Sequence, residues 1–95
     1  MDLLTFRNSL EHVNAPENLN NELQALWYDG KGDWERAHDI AQDIQGKSGA
    51  HIHAYLHRKE GDQWNAAYWY RLAGQEMPKY SLDREWNELV QRYLA

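Results

Sequence analysis

Four histidines stand at spacings that coordination chemistry can use. They are His38 and the run His51-x-His53-x3-His57. His53 and His57 are four residues apart, so on a helix they share a face, and Glu60 continues that face. Two imidazoles at this spacing can hold one metal ion, as in the HExxH pattern. Here the intervening residues are Ala54, Tyr55 and Leu56, which supply no general base, so the metalloprotease form is excluded. His38, on the preceding helix across a short turn, is a candidate third ligand. Neutral imidazoles with the Glu60 carboxylate suit zinc and leave an open coordination position, and a metal-dependent hydrolase is the enzymatic form of that reading. The competing reading is packing. His38 falls in an apolar stripe beside Trp34 and Ala41, where an imidazole bonded to backbone or tyrosine fills core. Packing is the expected role of the histidines, with metal or small-ligand binding at His38, His53, His57 and Glu60 as the alternative.

Composition bounds the rest. Ninety-five residues make one domain, 1–95, and a chain this short must fill its core with large side chains. Five Trp, six Tyr and one Phe supply that area. The net charge is −5, and no basic cluster exceeds Arg58-Lys59, which argues against nucleic acid and against an anionic membrane surface. There is no cysteine, hence no disulfide framework and no thiolate chemistry. The opening MDLLTFRNSLEHV reads as neither a signal peptide nor a membrane span, so a cytoplasmic location is expected. No cofactor is implied. Gly32-Asp33 and Gly61-Asp62 resemble anion-binding helix starts, but the aspartates would repel a phosphate and suffice as caps.

The elements that must carry these residues are all helical. Leu3, Phe6, Leu10 and Val13 form a stripe over residues 2–13, with Asp2 as N-cap. Pro16 can open a second helix whose face is Leu19, Leu23, Leu26 and Trp27, ending near Asp29, where Gly30 and Gly32 permit a positive-φ cap. Asp33 caps a third helix with the stripe Trp34, Ala37, His38, Ala41 and Ile44. Ser48 caps a fourth, Gly49 to Glu60. Asp62 precedes a fifth, Gln63 to Glu76, that is apolar nearly all round and is stopped by Pro78. Such a helix is either central or lines an aromatic surface. Ser81 caps a sixth with Leu82, Trp86, Leu89, Val90, Tyr93 and Leu94 on one side. The expectation is an all-α domain of about six helices.

Two of these hairpins are near-copies. LWYDGKGDWERAHDIA, from Leu26, and YLHRKEGDQWNAAYWY, from Tyr55, superimpose at an offset of 29 residues, matching Gly32-Asp33 to Gly61-Asp62 and Ala37 to Ala66. The second copy, with Ala54, His57, Gly61-Asp62, Ala66, Tyr70, Ala73 and Pro78, resembles tetratricopeptide (TPR) repeats. The first shares Ala25, Tyr28, Gly32-Asp33-Trp34 and Ala37 before departing from the pattern. Tyr68 to Ala73 is also similar to Sel1-like repeats, and the whole chain resembles a small bacterial family. The TPR resemblance implies two stacked helical hairpins with an N-terminal helix and a C-terminal capping helix. It places His53 and His57 inward. It implies a peptide-binding groove along the first helix of each hairpin, showing Glu22, Leu26 and Asp29, then His51, Tyr55, Arg58 and Lys59. The family's Lys/Asn clamp for a peptide carboxylate is absent. Trp64 and Tyr68, if exposed on the fifth helix, are further anchors for a partner. The expected function is a non-catalytic interaction module that binds a protein or peptide segment or a second copy of itself, through the groove or through the aromatic fifth helix.

Overall fold

The computed structural model describes residues Met1–Leu94. Five of its helices begin at a side chain that accepts a hydrogen bond from a backbone N–H three residues on. These caps are Asp2 (to Thr5, 2.8 Å), Asn20 (to Leu23, 2.8 Å), Asp33 (to Arg36, 3.2 Å), Asp62 (to Asn65, 3.2 Å) and Ser81 (to Arg84, 3.1 Å). Each satisfies one of the orphan donors of a helix start. The helices are α1 (Leu3–Ser9), α2 (Asn21–Gly30), α3 (Trp34–Gln42), α4 (Gly46–Lys59), α5 (Gln63–Ala73) and α6 (Leu82–Tyr93), and no strand occurs among the described residues. Among the described residues, no helix is long and apolar enough to cross a membrane.

The two hairpins, α2–α3 and α4–α5, are joined by the same device. In the first, Lys31, Gly32 and Asp33 donate to the carbonyls of Trp27, Asp29 and Tyr28; in the second, Glu60, Gly61 and Asp62 donate to Leu56, Arg58 and His57. The turn requires a left-handed residue, and Gly32 (φ +86°) and Gly61 (φ +89°) supply it. Gly30 stays helical instead, and its hydrogen faces Leu10 and Trp86, where a Cβ would come within about 3 Å of both. Ala25 and Ala54, and Ala37 and Ala66, are fully buried at equivalent positions of the two hairpins. Small side chains there let the paired helices approach.

Several boundaries differ from expectation. Helix α1 ends at Ser9 and continues only as a turn, with Leu10, Glu11 and His12 donating to carbonyls three residues back, and Val13 lies 89% exposed. Lys31 satisfies the carbonyls of Leu10 and His12 at 2.8 Å each. Helix α2 begins after Asn20 and not at Pro16, because Asn20 offers a side-chain cap that Pro16 lacks. Helix α4 begins at Gly46 without a side-chain cap. Ser48 lies inside it and donates to Glu22 Oε2 at 2.7 Å. Helix α5 stops at Ala73, where Gly74 turns left-handed before Pro78 is reached.

The core gathers Phe6, Leu23, Leu26, Trp27, Ile52, Tyr55, Leu56, Trp86, Leu89 and Val90. Helix α6 lies across α2 and α4, and α1 joins it through Phe6 and Trp86, whose ring centroids are 5.8 Å apart. The Trp86 indole donates to the Leu26 carbonyl at 2.9 Å. Helix α3 packs on α2 and α4. Helix α5 packs backbone-close only against α4, burying Ala66, Tyr70 and Ala73.

Candidate functional site

The histidines meet where α3 crosses α4. One ring nitrogen from each of His38, His53 and His57 lies within 4.8 Å of the others. His38 Nε2 and His53 Nε2 are 2.9 Å apart. Two nitrogens at that distance need one N–H and one lone pair, so at least one of the facing nitrogens is unprotonated. His57 Nδ1 lies 2.6 Å from Glu60 Oε2. A carboxylate only accepts, so Nδ1 carries the hydrogen, and the nitrogen left to offer a lone pair is Nε2. Burial, reinforced by the neighbouring His38 and His57, pushes His53 down to about 4. Burial and then His57 lower His38 also. Both rings are therefore neutral at pH 7, the state a metal ligand needs.

Tryptophans hold these rings in place. Trp69 stacks on His53 with centroids 4.1 Å apart, and His57 stacks on its neighbour His53 at 4.7 Å. Trp34 stacks on His38 at 4.9 Å and is itself fixed by its indole N–H donating to the Leu56 carbonyl at 2.8 Å. Glu60 does not join the three imidazoles as a fourth converging donor; it sits on Nδ1 of His57. The i,i+4 spacing made the His53–His57 pair legible. Trp34 stands beside His38 as the apolar stripe of the third helix implies, whereas Trp69 meets His53 only once α4 and α5 are hairpin neighbours.

Most of the residues expected along the groove lie in an internal interface, with Glu22 and Arg58 half-buried at its edge and Lys59 exposed. Leu26, Asp29 and Tyr55 are buried. The Tyr55 hydroxyl donates to Asp29 Oδ2 at 2.7 Å, and Lys59 Nζ donates to Asp29 Oδ1 at 2.8 Å. Arg58 donates to Glu85 Oε1 at 2.9 Å and to the Tyr80 carbonyl. Glu85, on α6 and 2% exposed, also accepts from the Tyr70 hydroxyl at 2.6 Å. His51 is buried too, with Nε2 3.8 Å from Glu85 Oε2. Burial and these carboxylates push the Tyr55 and Tyr70 hydroxyls far above the ordinary phenol range. The physical cause is α6. Its apolar face, Trp86, Leu89 and Val90, covers α2 and α4 on the side where a groove was expected. A recess of about 340 Å³ beside Asp29, Tyr55, Lys59, Arg7 and Trp86 remains there, but its cations are already paired with Asp29 and Asp83.

The open surface is on α5. Trp64, Tyr68 and Leu72, at i, i+4 and i+8, are 84%, 47% and 49% exposed. Successive residues at that spacing form one stripe. Beside Leu72 a recess of about 350 Å³ runs between the end of α3, the start of α4 and α5, lined by Ala41, Ile44, Ala50, His53 and Trp69, with Lys47 among its walls. Trp64 and Tyr68 were expected anchors. Leu72 was not, though the sequence carries a signal: the buried residues of α5, Ala66, Tyr70 and Ala73, are three and four apart, which leaves Trp64, Tyr68 and Leu72 on another face. No protein-family model, curated protein or solved structure matches the chain.

Proposed function

We propose that this chain is a non-catalytic interaction module that binds an amphipathic helix of another protein along α5. The observation that carries this reading is the uncovered Trp64–Tyr68–Leu72 stripe. Large apolar side chains aligned over two helical turns, beside a recess that can seat one more, are the anchors of helix-in-groove recognition. Of the two hairpins α5 is the last helix, and α6, which crosses to α2 and α4, does not pack along it.

Area and charge select the occupant. The stripe exposes on the order of 400 Å² of side chain, about half of the ~800 Å² per partner that a stable dimer buries. That suits a single docked helix better than a second copy of the chain. Lys47 and Arg71 border this face, and α5 carries no acidic residue, on a chain of net charge −5. The partner helix therefore carries Asp or Glu beside its apolar anchors.

The test uses labelled 18-residue helical peptides with Leu at helical spacing and either acidic or basic flanks, followed by fluorescence anisotropy. The acidic peptide binds, the basic one binds at least tenfold more weakly, and Trp64→Ser/Tyr68→Ser removes binding without changing the melting temperature. Equal binding by the double variant, or no binding of either peptide, rules the reading out. A dimer in sedimentation that dissolves in the double variant would assign the face to a second copy instead.

A further inference from the structure

The packing role expected of the histidines predicts imidazoles bonded to backbone or tyrosine. Among the described residues, the hydrogen bonds of His38, His53 and His57 run only to one another and to Glu60. Three half-buried or buried imidazoles thus turn their nitrogens on a common point. In a zinc tetrahedron with Zn–N of roughly 2.0–2.1 Å, ligand nitrogens stand about 3.4 Å apart. The His38–His53 pair, at 2.9 Å, is slightly inside that separation, and no pair in the trio exceeds 4.8 Å. Small side-chain rotations close the difference.

From this geometry we infer that His38, His53 and His57 form a binding site for a divalent transition-metal ion of the zinc class. The donors are Nε2 of His38, Nε2 of His53 and the His57 nitrogen that Glu60 does not hold. Glu60 is a positioning residue: its carboxylate accepts from His57 Nδ1–H, fixes the tautomer and raises the basicity of the ligating nitrogen, as carboxylates behind metal-bound histidines do. Trp34 and Trp69 hold the other two rings. Each imidazole contributes one lone pair. The hydrogen shared between His38 and His53 moves to Nδ1 of its own ring, so these two rings bind the ion without net proton release. All-nitrogen donors select zinc, cobalt, nickel or copper over magnesium and calcium, and three protein ligands leave a fourth position for water. His53 also lines the recess beside α5, which gives that position a route to solvent. The inference is independent of helix docking, since Trp64 and Tyr68 take no part in it.

The experiment uses tag-free protein stripped with chelator and titrated with zinc chloride by calorimetry and with cobalt chloride by visible absorption. One ion binds per chain, with the intense d–d bands of a four-coordinate cobalt site, and magnesium gives no heat. Glu60→Gln keeps the metal-free melting temperature and weakens zinc binding about 10–100-fold. His38→Gln abolishes the cobalt bands, whereas His12→Gln, away from the cluster, leaves them unchanged. If a histidine variant fails to fold, Glu60→Gln and the wild-type titration still decide. No stoichiometric binding at micromolar metal overturns the inference, as does binding that survives His38→Gln, is lost in His12→Gln or is unaltered by Glu60→Gln.

Discussion

Replacing Glu85 with alanine strips α6 of its only buried charge and leaves Arg58 inside without a counter-ion. Glu85 is 2% exposed and the Arg58 side chain 14%, with 2.9 Å between Nη1 and Oε1, so water does little to screen the pair. Removing one member of a buried ion pair costs roughly 3–5 kcal/mol, because the remaining charge stays desolvated. The Tyr70 hydroxyl loses its acceptor at the same time. Folding free energies of small domains are about 5–15 kcal/mol, so the variant keeps only part of its stability. At roughly 4–8 °C per kcal/mol for a domain this size, the melting temperature falls by at least about 12 °C. Thermal and urea unfolding of wild type, Glu85→Ala, Arg58→Met and the Arg58→Met/Glu85→Gln pair reads the effect. The pair, which buries no charge, should recover more than half of what Glu85→Ala loses. A loss below about 1 kcal/mol would show that α6 is not anchored over α2 and α4, and that the groove there can open.

Two further outcomes follow from local geometry. Because His53 titrates near 4 in the fold but near 6.5 when unfolded, the unfolded chain binds more protons between those values. Stability in chelator therefore falls as pH drops through that window, by about 3 kcal/mol from this residue, with His38 acting in the same direction. The groups facing His53 are His38 on α3, His57 on its own helix and the uncharged Trp69 on α5. Melting curves from pH 4 to 7 test it, with His53→Gln expected to flatten the slope; an unchanged slope in that variant refutes the assignment. Gly61→Ala places a side chain at φ +89° with no atom nearby to clash, so backbone strain alone sets a cost of about 1 kcal/mol, readable by urea denaturation. An unaffected midpoint would mean the turn relaxes.

What could be read from the sequence was local. Asp33 and Asp62 announce helix starts because a cap is made within four residues, and the 29-residue offset fixed the hairpin turns and their buried alanines. The His53–His57 pair was legible for the same reason. The remainder depended on where helices dock. An amphipathic stripe says that α6 must bury a face, not that it buries it on α2 and α4. Nothing local pairs Glu85 with Arg58, Lys59 with Asp29, or Lys31 with the carbonyls of Leu10 and His12; the fold brings each to its partner. Helix α5 is apolar in several directions, and only its single neighbour decides that Trp64, Tyr68 and Leu72 face outward. Glu60 continues the face of His53 and His57 and so reads as a ligand, but three residues on from His57 its carboxylate is taken up by His57 Nδ1.

We propose that partners are met on α5 while α6 keeps the α2–α4 face closed. The most direct measurement is amide and indole chemical-shift mapping on isotopically labelled protein as the acidic-flanked helical peptide is added. Perturbations concentrated at Trp64, Tyr68, Trp69 and Leu72 and around Lys47, with Tyr55, Glu85 and Trp86 unmoved, are the predicted result. Perturbations running along α2 and α4, with the α6 signals shifted or lost, would show that the peptide displaces α6 and would contradict the account.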